Sequence, residues 1–591
     1  MKKFVCILGV LFGMYQVSAQ KKEKKETAKD TLDPGGVITV VTSYTPTIAD
    51  AFKIKKNPKI VLSKKSEKKK LKYTIFSAPV ASTFIPKSGV VKGIDLGVKE
   101  RLYNNYAAVG FGNYSTPFVE VFLHQNTKFE SDFGIYAKYI SSENGIDNTV
   151  LNNGYRNLNL GAYYMQEERY FNWKVGFDIE NNQYNWYGLP SLPFNVGVTN
   201  AIEEEQKYTY YALNGEMIFE DAYIESANAK IYSFSDDYKS KELFFSLSSS
   251  LKFPLTGLSR KLNDLNVNTS FAYLNGKFAQ NYFGNAKEEY SFFNFKVNPV
   301  YRFGNDKLKI KAGTKLYVAL DTQNSLTDFF IYPDVEISYP IVKGIAYLGL
   351  GANGDLEMNT YKNYSDINPF VSPTLFMTQT NTQYNLFARI NGKFSSNVTY
   401  EIKGSYQSQE DKPLFVRNNS KSDGTVSVAN SIPLLGYEYG NSFNVFYDDV
   451  KTFSIYTELE VEVSKRMVIG ANAQINSYTT ASQQEAWNLP KLEGAIYGKY
   501  KKDKWYAGAD LFFVGERKDV MYTSIYPSTF GGIQNLKSYI DLNLNGGYHF
   551  SDMLSAFIKF NNVLNTDYQR YANFNVLGFQ VLAGVTYKFD F

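Results

Sequence analysis

The amino-acid sequence predicts an all-β fold, namely a transmembrane antiparallel β-barrel of about 22 strands (±2) with short periplasmic turns and long extracellular loops. One observation is that residues 577–591 alternate apolar and mostly polar side chains, as a strand with one apolar face does. Another is composition: 16% of the 591 residues are aromatic, yet the mean hydropathy is slightly negative. A third is the series of alternating segments from about residue 103 onward. A soluble all-β protein is the alternative, but a wall between lipid and water explains all three observations.

Residues 1–19 have the pattern of a secretory signal peptide. Two lysines precede an apolar stretch over residues 4–15 that is too short to span a bilayer, and small residues precede a cleavage site between Ala19 and Gln20. The one cysteine, Cys6, lies inside this signal. The mature chain therefore lacks the thiols that disulfides and thiolate metal sites need, and the sequence predicts no cofactor.

Residues 20–102 differ from the remainder, because lysine runs and little alternation characterise the first fifty or so of them. This composition is typical of a flexible segment, and we predict a periplasmic N-terminal arm. The formal net charge of the chain is +5, and removing the two signal lysines leaves +3. Such a balance gives no support to nucleic-acid binding.

Orientation follows from parity, because consecutive strands cross in opposite directions and the last strand is expected to end in the periplasm. The predicted periplasmic turns lie near Asn126, Glu168, Asp221, Asn305, Ile341, Ser396, Lys465, Lys502 and Phe550. The predicted outer loops cover residues 145–152, 188–205, 355–379, 410–439, 518–535 and 566–576. They are long and rich in Asn, Ser, Pro and Gly, as outer-membrane barrel loops are. The barrel then covers residues 103–591, and the count requires one long strand over residues 442–463.

Charged residues are confined to one face of several predicted strands, as a polar lumen allows. The basic wall is predicted on the inward face of two neighbouring strands and consists of Lys296, Arg302, Lys307, Lys309, Lys311 and Lys315. The acidic ladder is predicted on a distant strand and consists of Glu458, Glu460 and Glu462. A wet lumen with opposed charges is one interpretation. An anion-selective path or a docking surface for the N-terminal arm are the others.

Several segments resemble TonB-dependent receptors of the Bacteroidetes type. Residues 560–565 with Tyr568 are similar to an N-L-F-D-x-x-Y segment near the end of that family, where the final strand also ends in Phe. Residues 447–450 and 486–490 resemble receptors of this type as well. A stretch of the arm is similar to the TonB-binding box and consists of Val37, Ile38, Thr39, Val40, Val41 and Thr42. The resemblance implies a 22-strand barrel in the outer membrane of a Gram-negative bacterium.

The N-terminal arm departs from this family. The family carries a large plug domain between the box and the barrel, and residues 20–102 are too few to hold one. We therefore expect a plug that is missing or reduced to a remnant around residues 73–93, which puts energised import in doubt. Without a plug, the box-like stretch is equally well explained as a β-prone part of a tail.

Catalysis is not expected. Hydrolytic sites generally use a histidine as base, and the chain contains two. Parity places His124 and His549 near the periplasmic ends of their strands. His124 shares an inward face with Glu120, and a hydrogen bond between them in the lumen explains His124. A surface position next to a turn explains His549. Two histidines and no mature cysteine also make a transition-metal site improbable.

An outer loop beginning at residue 186 places aromatic side chains beside two prolines, namely Trp186, Tyr187 and Phe194. Stacking on a ligand, burial against a surface lipoprotein, and inward folding that closes the barrel all account for them.

Two functions follow. One is solute transport across the outer membrane through a plugless pore or a channel gated by its own loops, since an open lumen of this width leaks unless some element restricts it. The other is a non-transporting structural subunit of an outer-membrane assembly, secretion or surface-lipoprotein complex. It would contact outer-membrane lipids and bind envelope proteins through the arm or the outer loops. A receptor whose plug comes from another chain is a third possibility.

Overall fold

The computed structural model describes residues 103–590 except 128–130, 221, 258, 260–261, 285, 430–431 and 524–525. Four predictions fall on residues 1–102 and lie outside the described residues. They are the signal peptide with its cleavage site at Ala19 and Gln20, the N-terminal arm, the box-like stretch 37–42 and the plug remnant.

A closed sheet of 22 antiparallel strands forms the wall of the described part of the chain. The first half comprises β1 (Asn105–Gly112), β2 (Thr116–Asn126), β3 (Ser131–Ser142), β4 (Tyr155–Glu167), β5 (Phe171–Asn185), β6 (Glu205–Phe219), β7 (Ile224–Asp236), β8 (Lys241–Phe253), β9 (Leu265–Phe278), β10 (Glu288–Asn305) and β11 (Leu308–Asp321). The second half comprises β12 (Leu326–Val342), β13 (Ala346–Glu357), β14 (Thr380–Ser395), β15 (Val398–Arg417), β18 (Phe443–Ser464), β19 (Met467–Thr480), β20 (Leu492–Lys502), β21 (Trp505–Val514), β24 (Tyr539–His549), β25 (Leu554–Asn561) and β28 (Gln580–Phe589).

The wall closes because β1 pairs with β2 on one edge and with β28 on the other. In the closing pair, Asn105 faces Phe589 and Gly112 faces Leu582. The predicted barrel of about 22 strands is confirmed. The single long strand on which the count depended is β18.

Smaller elements lie in the connections. Three short hairpins occupy outer connections, namely β16 (Val428–Ala429) with β17 (Ile432–Pro433), β22 (Arg517–Tyr522) with β23 (Phe530–Leu536), and β26 (Gln569–Tyr571) with β27 (Phe574–Asn575). Short helices span Val196–Thr199 and Tyr361–Ile367, and a 3₁₀ turn spans Leu255–Gly257. In the described part of the chain, no helix has the length and apolarity that crossing a bilayer requires.

Most of the long connections lie at the end of the wall that parity assigns to the exterior, although the outer connections 113–115, 237–240 and 322–325 are short. Residues 306–307, 396–397, 465–466 and 503–504 form connections at the periplasmic end of the wall, each a tight turn between two strands. Residues 358–379 and 418–442 form long connections at the opposite end. The one long periplasmic connection is residues 254–264, which holds the 3₁₀ turn.

Side chains alternate across the wall because successive residues of a strand point to opposite faces. On β28, Val585 and Tyr587 are 45% and 46% exposed on the outer face, whereas Thr586 between them is 7% exposed. On the inner face, tyrosine rings lie across glycines of neighbouring strands. A Cβ atom on Gly161 would lie 2.2 Å from the Tyr136 ring, and one on Gly470 would lie 2.2 Å from the Tyr497 ring. Glycine at these positions lets the lumen wall carry large polar rings.

A charge placed on the outer face of β18 is expected to destabilise the barrel, whereas one on its inner face is not. Leu459 is 43% exposed on the outer face, and Glu458 precedes it on the inner face. Leu459→Arg is expected to cost about 2–4 kcal/mol in a bilayer, and Glu458→Arg roughly 0–1 kcal/mol. Urea unfolding of the barrel in lipid vesicles, followed by heat-modifiable gel migration, measures both. Equal midpoints for the two variants would contradict a lipid-facing assignment for Leu459.

Candidate functional site

The structure places five residues of the basic wall on the inward faces of β10 and β11, whereas Lys307, predicted on the same inward face, lies in the turn between these strands. Arg302 lies opposite Lys311, and Lys296 lies opposite the buried Tyr317. Leu316, next in sequence to Tyr317, is instead 40% exposed on the outer face. The strand register therefore brings Lys296, Arg302, Lys309, Lys311 and Lys315 to one side of the lumen.

Carboxylates on the next two strands neutralise the extracellular part of the basic wall. Lys311 Nζ donates to Asp334 Oδ1 at 2.5 Å, and Lys315 Nζ donates to Asp355 Oδ2 at 2.6 Å. Lys296 Nζ lies 3.9 Å from Asp355 Oδ1. Because each ammonium group has a carboxylate neighbour, this part of the wall holds opposed charges rather than a continuous basic surface.

These acidic partners were not among the predicted site residues. Asp334 and Glu336 occupy alternate, inward positions of β12, and Glu336 pairs with Arg389 of β14. The alternation of β12 was the signal that could have revealed them. Nearer the periplasmic turn, Arg302, Lys307 and Lys309 are exposed, and the described residues place no carboxylate within ion-pair distance of them.

The acidic ladder lies on the inward face of β18, separated from the basic wall by β12 to β15. Tyr456 donates its hydroxyl to Glu458 and Tyr497 donates to Glu460, each at 2.8 Å. Glu401 of β15 lies directly opposite Glu458. Among the described residues, no lysine or arginine forms an ion pair with these glutamates, and tyrosine hydroxyls donate to Glu458 and Glu460.

Above the polar wall, outer connections fold inward and form one aromatic core. We call it the loop cluster. It joins side chains of the connections that follow β3, β5, β9, β13, β15 and β25 to inward side chains of β6–β10 and β18. Its largest fully buried members are Trp186, Phe234, Leu274, Phe278, Tyr282, Tyr361, Tyr364, Leu375, Tyr437, Tyr439, Phe443 and Phe574. These connections leave the wall at widely separated strands, so their contact spans the lumen.

Contacts across the loop cluster join distant parts of the barrel. Tyr571 donates its hydroxyl to Ile367 O at 3.0 Å, and Asn441 donates Nδ2 to Trp186 O at 2.7 Å. The Phe370 and Phe574 rings stack with centroids 3.9 Å apart. Residues from connections on opposite sides of the opening therefore hold one another in place.

Glu242 fixes the helix Tyr361–Ile367 to the wall. Its buried carboxylate, at the extracellular end of β8, accepts from the backbone N–H groups of Tyr361 at 2.6 Å and Lys362 at 3.3 Å. It also accepts from the hydroxyls of Tyr290 at 2.7 Å and Tyr232 at 3.0 Å. A carboxylate at a helix N-terminus satisfies N–H groups that have no partner within the helix.

Asp236 provides a second attachment for the same helix. Its Oδ2 accepts from the Tyr361 hydroxyl at 2.8 Å, and its Oδ1 accepts from the backbone N–H groups of Tyr238 and Ser240, each at 2.9 Å. Burial raises the pKa of Tyr361 well above its usual value, so its hydroxyl stays protonated and donates. Thr360 caps the helix by accepting from the N–H of Asn363 at 3.0 Å.

The predicted aromatic outer loop lies inside the loop cluster. Trp186 is fully buried, and its ring centroid lies 5.3 Å from Tyr238 and 5.4 Å from Tyr437. Tyr187 packs on Phe574 at 4.9 Å, and Phe194 packs on the edge of the cluster. Of the three interpretations of this loop, inward folding describes its position in this structure.

The two histidines occupy structural positions. His124 Nδ1 lies 2.8 Å from the Tyr163 hydroxyl, and its Nε2 lies 3.9 Å from Asp132. The predicted bond between His124 and Glu120 is wrong, because Glu120 accepts instead from the hydroxyl of Tyr106 on the neighbouring strand β1. His549 ends β24 at the periplasmic side, as predicted. Among the described residues, no group of three or more His, Cys, Asp or Glu side chains could hold a metal ion.

These features define a closed 22-strand β-barrel with a polar inner wall and an aromatic cover of loops. No protein-family model matches the sequence. No curated protein matches it either.

Solved structures show the same architecture. The chain is similar to the ferripyoverdine receptor of the outer membrane of Pseudomonas aeruginosa, with a TM-score of 0.59 and 12% identity over 82% of this chain and 72% of the receptor. It is also similar to the ferric-catecholate import receptor Fiu of E. coli K12, with a TM-score of 0.58 and 8% identity over 83% and 82%. The copper transporter OprC has a TM-score of 0.57 and 11% identity over 83% and 84%. Such neighbours are TonB-dependent receptors, and this chain shares their barrel fold.

Proposed function

We propose that the protein lies in the outer membrane of a Gram-negative bacterium and serves solute transport, with the loop cluster as its extracellular gate. The observation that carries this proposal is that loops from opposite sides of the barrel pack together above an inner wall that carries charged side chains. A barrel of 22 strands is wide enough for an aqueous path, and a leak is avoided only if some element restricts it. The loop cluster is such an element.

We further propose that this barrel is of the Bacteroidetes type and lacks a full plug, so that its loops do the closing. The attachment of the helix Tyr361–Ile367 by Glu242 and Asp236 supports a closed resting state. The pairing of Lys311 and Lys315 with carboxylates supports a lumen of opposed charges, without strong preference for anions. The structural neighbours, which include an import receptor and a transporter, are consistent with a transport role.

A second candidate function is that of a subunit which binds envelope partners through its arm. Residues 20–102 contain 19 Lys and Arg against 8 Asp and Glu, a formal charge of +11. Residues 103–591 contain 42 against 50, a formal charge of −8. A basic arm on an acidic barrel is suited to an acidic partner, to anionic lipid, or to the box-mediated contact implied by residues 37–42.

Planar-bilayer conductance tests the transport proposal. We expect wild-type protein to be nearly closed. Replacing residues 361–375 by a short Gly-Ser linker is expected to raise single-channel conductance by roughly tenfold or more, because a barrel of this size encloses a wide lumen. Shortening the hairpin β22–β23, which leaves that helix in place, is the matched control.

The conductance of a variant that lacks residues 20–100 separates a gate made by the arm from one made by the loops. A third variant lacks residues 20–100 and also carries the linker in place of residues 361–375. If this variant folds and its conductance stays near zero, the transport proposal is wrong and the structural-subunit function is favoured. Folding is checked by heat-modifiable migration of each variant on gels.

A further inference from the structure

A cavity lies among the outer connections, and we call it the outer pocket. It has a volume of about 650 Å³ and is bounded by four connections. Its lining includes Pro190 and Leu192, Asn418 and Ser420, Tyr522 and Gln534 of the hairpin β22–β23, and Asn573. Sites for small organic molecules have volumes of roughly 300–1,000 Å³.

Arg417 gives this pocket its chemical character. It ends β15, lines the pocket and is only 6% exposed. Its Nη2 donates to Val520 O at 3.2 Å, while Nε has no acceptor. No carboxylate of the described residues forms an ion pair with its guanidinium. A buried guanidinium with free donors is costly unless an oxyanion completes its hydrogen bonds.

Asp519 also lies near Arg417, and one of its two carboxylate oxygens has hydrogen-bond partners. Its Oδ1 accepts from the backbone N–H groups of Arg417 at 3.2 Å and Val520 at 2.8 Å. Its Oδ2 has no hydrogen-bond partner, and no ion pair joins Asp519 to the guanidinium within the described residues. Arg417 therefore keeps one donor, Nε, without an acceptor at the wall of the outer pocket.

Other lining groups indicate which molecule would carry the oxyanion. Asn573 Nδ2 is a second donor without an acceptor. The remaining polar lining consists of amides and hydroxyls, and Tyr522 and Pro190 supply apolar surface. Such a lining suits a hydroxylated molecule better than a bare ion, since it offers many neutral hydrogen bonds around one cation.

We infer that the outer pocket binds a hydroxylated carboxylic acid, with Arg417 receiving the carboxylate and Asn573 and Gln534 contacting its polar body. This inference adds a ligand class to the proposed transport function, but binding at the outer pocket does not require that the barrel conduct. The two proposals therefore fail in separate measurements.

Calorimetric titration of the full-length protein in detergent tests the outer pocket. The probes are lactobionate, a disaccharide acid, and lactitol, in which a CH₂OH group replaces the carboxylate. We expect lactobionate to bind at least roughly tenfold more tightly than lactitol, because a charge-assisted bond to a buried guanidinium is worth about 1.5–3 kcal/mol. Arg417→Gln is expected to remove this difference, and Arg417→Lys to retain part of it.

Two further variants keep the test decisive. Asn573→Gly removes the amide while keeping a backbone of φ +67°, which glycine adopts freely, and it should weaken lactobionate binding even if Arg417→Gln does not fold. Lys518→Gln is the matched control, because Lys518 lies on the same hairpin but pairs with Glu485 outside the outer pocket. Equal binding of the two probes by wild type, no binding of either, or unchanged binding in Arg417→Gln would overturn the inference.

Discussion

Glu242→Ala is expected to release the helix Tyr361–Ile367 and to open the barrel. The substitution leaves two backbone N–H groups and two tyrosine hydroxyls without their shared acceptor in a buried place. Each unsatisfied buried donor costs about 1–3 kcal/mol, so the attachment as a whole weakens by several kcal/mol. The helix spans only Tyr361–Ile367 and is too short to persist without tertiary support. Conductance in planar bilayers should rise towards that of the variant lacking residues 361–375.

The matched control is Glu216→Ala. Glu216 is an inward carboxylate of β6, opposite Lys174 and Asn228 and away from the helix. It should leave conductance unchanged. A second readout is limited proteolysis of intact cells, in which residues 358–379 should become cleavable only in Glu242→Ala. A Glu242→Ala barrel that stays closed and protected would show that the aromatic core alone holds the loops.

Trp186→Ala is expected to have the second largest effect. Trp186 is fully buried between Tyr238 and Tyr437, two rings from separate connections. Removing a buried tryptophan typically costs about 3–5 kcal/mol, through lost burial and a residual cavity. The loops should loosen without unfolding of the wall, because the strands are held by their own hydrogen-bond ladders. Amide hydrogen exchange measures this difference: it should become faster in the outer connections and stay unchanged in the strands.

Trp505→Ala is the control for that substitution. Trp505 begins β21 at the periplasmic end and is 61% exposed. The same chemical change at that position should leave exchange in the loops unaltered. Faster exchange throughout the wall in Trp186→Ala would instead show that loops and barrel unfold as one unit.

The barrel could be predicted because the face, direction and ends of each strand are determined by residues that are close together in the sequence. Period-two alternation assigns faces, parity assigns sides, and turn length distinguishes periplasm from exterior, so β18 could be predicted as one long strand from its own residues. The same rule assigned the basic wall to two neighbouring strands, but Lys307 lies in the turn between them. Its partners Asp334 and Asp355 were missed because pairing depends on the register between strands, which alternation within one strand does not supply.

The loop cluster could not be predicted from alternation, parity or turn length. The sequence singled out Trp186 and Tyr187 as aromatic residues of an outer loop. It did not decide between stacking on a ligand, burial against a surface lipoprotein and inward folding. Their burial depends on Phe370, Tyr437 and Phe574, which are far away in sequence. The role of Glu242 could not be predicted from the sequence, since a single carboxylate at a strand end has the same local pattern as a solvent-exposed residue. Its role depends on a helix that arrives from residues 361–367, and no local pattern of β8 encodes that contact.

The pairing of β1 with β28 has a consequence for biogenesis. Asn105 and Phe589 become partners across nearly the whole length of the barrel sequence, so the sheet remains an open ribbon with two unsatisfied edges until β28 is available. During that interval, the early strands would be competent to pair wrongly with themselves or with other chains. An escort that shields the β1 edge during assembly would therefore matter more to the yield of this protein than any single contact within its finished wall.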